Sequence, residues 1–167
     1  MKNWVFGLVA VFVLFNACAT GGGGAAVGGS GTKQENAEFA AFDAVIEKSF
    51  ENLEPRLDAG KRIALLPINA ADKENGSYAY DTITVLFTNT LKYDMLERAR
   101  IDAIITEQDF QYSGMVSDET AVSIGKLLGA NVIIIGDISG SGNTRRLVFR
   151  ALDVETGKIV GISSERF

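Results

Sequence analysis

Residues 95–140 read MLERARIDAIITEQDFQYSGMVSDETAVSIGKLLGANVIIIGDISG, and this stretch decides the fold. It predicts a short strand, two amphipathic helices and a strand buried on both faces. Ile101, Ile104 and Ile105 fall on one helical face, with Glu107 and Gln108 closing that helix. Ser117 suits the N-cap of the next helix, and Asp118 and Glu119 place negative charge in its first turn, where the helix dipole favours it. Ala121, Ile124 and Leu128 recur at helical spacing, and Gly129 suits the left-handed position that stops a helix. Asn131 leads into Val132-Ile133-Ile134-Ile135, an unbroken β-branched run whose place is a central strand.

Composition narrows the chemistry. A chain of 167 residues predicts one domain. Its net charge of −5 offers no concentrated basic face, so no nucleic-acid partner is expected. Arg145 and Arg146, with Arg150 nearby, are the only local basic group and read as the solvated surface of a hairpin. The chain has no histidine, which removes both the commonest general base and the commonest metal ligand. A single cysteine excludes an intramolecular disulfide and a cysteine-cluster metal site. The glycines at 21–24 follow no strand and complete neither GxxxxGK[ST] nor GxGxxG. No catalytic, cofactor-binding or metal-binding residue is therefore expected, nor any cofactor, and the chain reads as a non-enzyme.

The N-terminus is organised for export. Residues 1–3 are weakly basic, and Trp4 opens an apolar run of about a dozen residues, shorter than the roughly 20 that span a bilayer. Small residues then lead to the lone cysteine, Cys18. A short apolar segment ending at a small residue and a cysteine resembles a bacterial lipoprotein signal, which implies that residues 1–17 are removed and Cys18 is acylated. Phe15 and Asn16 depart from the usual residues before such a cysteine. Ala19 resembles the pattern sent to the outer membrane rather than the aspartate-bearing one retained at the inner membrane. Residues 18–35 are Gly-rich and read as a flexible tether with a reach of roughly 20–25 Å.

Residues 36–167 then form the domain. A helix is predicted over 36–54, with Phe39, Phe42, Ile46, Phe50 and Leu53 on one face. Pro55 ends it, and residues 62–67 form a short buried strand. Residues 69–77 read as a polar loop, with Asp72 and Glu74 solvated beside a turn-like Asn75-Gly76. A helix over 78–92 carries Ile83, Leu86, Phe87 and Leu91, and a second short strand follows at 95–97. After the buried strand comes a turn at 140–144. Strands then run over 145–153 and 158–167, joined at Gly157. The class is α/β (α+β): a single domain with a mixed β-sheet of about five strands packed against α-helices.

Several spaced blocks carry a family resemblance. Leu96 to Asp102, then Glu107 to Phe110 and Ser113-Gly114, resemble the family of the curli-secretion lipoprotein CsgG. Gly125 to Ala130 with the isoleucine run and Gly136, the Asp153 to Lys158 hairpin, and Ile63 to Pro67 fit the same pattern. The fold is shared with LpoB, the lipoprotein activator of penicillin-binding proteins. The resemblance covers about residues 61–167 and implies a non-enzymatic protein, lipid-anchored on the periplasmic side of the outer membrane. Curli channels add two hairpins per subunit to build a barrel. A spanning strand needs roughly 9–11 residues with an apolar lipid-facing set, and no inserted pair of that kind is found.

Two functions follow. The first is a lipid-anchored accessory protein binding envelope proteins, such as a peptidoglycan synthase or a secretion component. The second is a CsgG-like homo-oligomeric component of an export apparatus. Both need the anchor. Replacing Cys18 with Ser is expected to move the protein from the membrane to the soluble fraction, and retention of the variant in membranes would remove the lipid anchor.

Overall fold

A computed structural model describes residues 31–107 and 116–167, so Cys18 and the family blocks at 108–115 lie outside the described residues. In chain order the elements are α1 (Gly31–Leu53), β1 (Arg62–Leu65), β2 (Asn69–Ala70), α2 (Lys73–Asn89), β3 (Asp94–Met95), α3 (Arg98–Glu107), α4 (Asp118–Leu128), β4 (Val132–Ser139), β5 (Arg146–Asp153) and β6 (Ile159–Arg166). They form one mixed sheet in the order β3-β1-β4-β5-β6, with the short β2 also paired to β4. β1 and β2 run parallel to β4, and β3 runs parallel to β1. β5 and β6 close the other side as antiparallel neighbours.

The isoleucine run is the middle of this sheet. Ile134 and Val132 join one core with Phe42, Ile46 and Leu53 of α1 and Ile83 and Phe87 of α2. Ile133 and Ile135 join a second core with Ile101 of α3 and Ala121, Ile124 and Leu128 of α4. Successive strand residues point to opposite faces, so a strand with helices on both sides must be apolar throughout. The end signals of α4 act as read. The Ser117 hydroxyl accepts from the Thr120 N–H at 3.2 Å, and Gly129 takes φ 68° as the C-cap.

The segment read as a loop is structured. β2 lies beside β4, with Asn69 opposite Asp137 and Ala70 opposite Ile138. β1 and β2 therefore behave as one strand interrupted near Pro67, which has no N–H to donate to the ladder. Asp72 is not simply solvated. Its carboxylate caps α2 by accepting from the Glu74 N–H at 2.9 Å and from the Asn75 amide at 3.0 Å. α2 thus starts five residues before the predicted position. Asn75-Gly76, turn-like in isolation, lies in its first turns. A Cβ at Gly76 would sit 3.0 Å from the Ile68 carbonyl oxygen, so glycine here lets the helix press against the interrupted strand.

Two smaller differences have local causes. The second strand occupies Asp94–Met95 rather than 95–97, and Arg62 pairs with Asp94 across it at 3.0 Å. In α1, Phe42, Ile46 and Leu53 are buried as predicted. Phe39 meets the Tyr78 ring edge-on and stays 48% exposed.

Replacing Ile134 with Asp buries a charge with no partner in the middle strand, which is expected to cost more than about 4 kcal/mol and to abolish cooperative melting. Ile134→Val should cost only about 0.5–1.5 kcal/mol and keep a sharp transition in thermal denaturation.

Candidate functional site: a clamped arginine and an open edge strand

The β4 sequence places one acid in an apolar strand. Asp137 shares the face of Ile133 and Ile135 and is only 7% exposed. A carboxylate at that depth is costly unless it is paired and hydrogen-bonded. Both conditions are met. The Asn69 amide donates to it at 3.2 Å, and an Arg150 nitrogen lies 3.5 Å away. Arg150 sits opposite Ile135 on β5, and its other terminal nitrogen reaches Asp118 at 2.6 Å. Asp118 is the first residue of α4, where the helix N-terminus adds a favourable field. Beside it, the Glu119 carboxyl is held below its ordinary range by its own backbone N–H and then by the Ser117 hydroxyl.

One guanidinium therefore ties β4, β5 and α4 together. The expectation that the arginines at 145–150 are a solvated hairpin surface is corrected for two of them. Arg150 spans two carboxylates, while Arg145 pairs with Glu38 at 2.8 Å and stacks 4.6 Å over the Phe167 ring. Arg146 alone matches that reading. Asp137 was the missed signal, because an acid inside an otherwise buried strand demands a cation. Its partners stand 13 and 68 residues away in sequence, which spacing could not reveal.

The geometry does not resemble a catalytic pair, because both carboxylates are occupied by the same arginine. Among the described residues no three acidic, cysteine or histidine side chains come together as a metal cage.

Beyond Arg150 the sheet opens. α1 covers one face of β6, where Glu165 is held by Lys48 at 2.7 Å and by Asn52 at 3.0 Å. The opposite face has no helix among the described residues. Ile162, opposite Arg150, is 52% exposed, and Ile159 and Val160 are exposed beside it. β6 is also an edge strand of eight residues. The Phe167 N–H donates to the Arg145 carbonyl at 3.1 Å, which makes their alignment a hydrogen-bonded pair. By antiparallel alternation, Ile162, Ser164 and Arg166 turn their backbone N–H and C=O groups outward. An open edge with a half-covered apolar face is a template for an added strand.

The fold and this surface define a class: a three-layer mixed α/β module with an exposed edge strand at one side of its sheet. Residues 64–147, half of the chain, match the family described as the curli production assembly/transport component CsgG, and the chain belongs to that family. The C-terminal domain of LpoB from Escherichia coli is similar in fold, with a TM-score of 0.62 at 14% identity over 75% of this chain and 97% of that one. The NMR structure of E. coli LpoB gives 0.58 at 16% identity, over 75% and 64% of the two chains. The LpoB C-terminal domain from Salmonella enterica gives 0.55 at 14%, over 75% and 94%. Among curated protein sequences, none matches this chain.

Replacing Arg150 with Met should lower stability by about 1–3 kcal/mol, because Asp137 loses its cation while staying buried. Adding Asp137→Asn to that variant should recover part of the loss. A denaturant-melt double-mutant cycle with no coupling between the two positions would show that the clamp is idle.

Proposed function

We propose that this chain is a non-enzymatic accessory lipoprotein of the bacterial envelope, anchored in the outer membrane through Cys18 and facing the periplasm. It acts by binding other envelope proteins, in the manner of an activator of penicillin-binding proteins or an envelope-assembly factor. The observation that carries this reading is the open β6 edge, with exposed Ile159, Val160 and Ile162 on an otherwise covered sheet. Membership of the CsgG family and the LpoB-like fold support the envelope setting. The lone cysteine after a short apolar segment supports the anchor, and because α1 begins at Gly31 rather than at 36, the proposed tether shortens to residues 18–30 ahead of the binding domain.

The reading has a geometric consequence. A tether that ends where α1 begins, with a reach of roughly 20 Å, keeps the domain near its own membrane. A partner rooted in the inner membrane must therefore extend toward it, and a partner in or under the outer membrane needs no such extension. The second reading, a homo-oligomeric export component, draws its support from the same family membership.

Photocrosslinking separates the two. With p-benzoylphenylalanine in place of Ile162 in the full chain, the expected product in cells is a discrete adduct with a different envelope protein. The same probe at exposed Val85 on α2 should not give it. An adduct made only of this chain would replace the adaptor with the homo-oligomer. If position 162 gave no adduct that position 85 lacks, the β6 edge would not be the docking surface.

A further inference from the structure

All eight arginines of the chain lie in the described residues, and six of them are engaged. Arg62, Arg98, Arg145 and Arg150 pair with carboxylates, while Arg56 and Arg100 donate to backbone carbonyls. The two without a partner among the described residues are Arg146 and Arg166, and they stand directly opposite each other on β5 and β6. The register of the Arg145–Phe167 hydrogen bond makes theirs a non-hydrogen-bonded pair, the alignment that brings side chains closest. Like charges placed so oppose each other and destabilise the sheet. In a chain of net charge −5, carboxylates are abundant, yet none among the described residues neutralises this pair.

The surroundings are shaped. Arg146 and Arg166 line a cleft of about 350 Å³ with Ser139, Gly140 and Thr144. Ser139 is the β4 residue opposite Arg146, so the row Ser139–Arg146–Arg166 crosses one end of the sheet on its open face. The rim is fixed by Gly140 at φ 84°, where an added Cβ would lie 2.3 Å from the Thr144 carbonyl oxygen. Thr144 closes the turn by donating its hydroxyl to the Ser141 carbonyl at 2.7 Å.

We propose that Arg146 and Arg166 are an anion site of the β6 edge, and that its ligand is an acidic side chain on an extended segment of a partner protein added as a strand to β6. This rests on the docking role of β6 proposed above and names the chemistry of the segment. Arg166 and Ile162 are four residues apart on one face of the strand, with Ser164 between them. The matching segment therefore carries an acidic and an aliphatic residue at i and i+4, with a small or polar residue at i+2, the two ends about 13 Å apart. A second copy of this chain is a poorer occupant. Antiparallel self-pairing about Ile162 would set Lys158 of each copy against Arg166 of the other, two positive charges at each end.

The test uses the full chain in detergent and a fluorescein-labelled peptide of about nine residues. The peptide is threonine throughout except for glutamate and valine four positions apart, and it is made in both orders. In fluorescence polarisation, one order should bind, and more weakly as salt screens the charges. Changing its glutamate to glutamine should weaken binding about tenfold. The Arg146→Gln/Arg166→Gln variant should bind both peptides equally, at the weaker level. Its melting temperature should hold or rise, because an opposed pair has been removed. Ser164→Pro removes only an outward N–H, so it should melt normally and lose the peptide.

If the glutamate and glutamine peptides bind alike, or the double variant still discriminates, the anion site is wrong. Capture of phosphatidylglycerol vesicles by wild type but not the double variant, with no peptide preference, would assign the pair to lipid headgroups and overturn the proposal. A dimer that excludes the peptide and is abolished by Ile162→Lys would assign the edge to a second copy. Crosslinking from position 162 keeps the two readings apart. A heterologous adduct that persists without any peptide preference sinks only the acidic-segment proposal, whereas loss of that adduct also removes the docking role.

Discussion

Burial of β4 on both faces is the constraint on which the remaining structure depends. Ile133 and Ile135 hold one helical layer, while Val132 and Ile134 hold the other. Each such side chain contributes roughly 1.5–3 kcal/mol when fully buried. A run that is apolar at every position does not by itself say which residues face which layer, because a rotation of the strand satisfies both cores almost equally. Asp137 breaks that near-symmetry. It is stable only on the face where Arg150 and Asn69 meet it, so a polar interaction sets the orientation of a strand held by hydrophobic burial. Arg150 extends this constraint to α4 through Asp118.

The two ends of the sheet are treated differently. The β3 edge is two residues long and flanked by the Arg62–Asp94 ion pair, which leaves little backbone to recruit another strand. The β6 edge is four times as long and exposes aliphatic side chains. The helices explain the contrast. α4 sits over β4 and part of β5, and α1 lies across the opposite face of β5 and β6, so the face of β6 on the α4 side has no layer among the described residues. The ion pairs around the exposed rim, such as Lys92 with Glu54, are of the solvated kind that contribute little to stability. Placement of the helices, more than surface charge, decides where the molecule is open.

What the sequence by itself determined is local. The isoleucine run could be read as a central strand because β-branched residues at every position suit only a doubly covered one. The ends of α4 could be read because Ser117 and Gly129 act on the backbone within a turn of themselves. The export signal and the acylation at Cys18, which belong to the proposed function, would likewise rest on a linear pattern that a processing enzyme reads without a folded domain. Only the tertiary structure decided the features that depend on distant residues. Asn69 and Ala70 form a strand because β4 offers them a ladder, and Gly76 is helical because its missing side chain admits the strand beside it. Arg150 became a clamp through acids on two other elements, and Arg146 and Arg166 met only when β5 paired with β6. Propensity and capping act over a few residues, whereas pairing, burial and exposure depend on which segments the fold brings together.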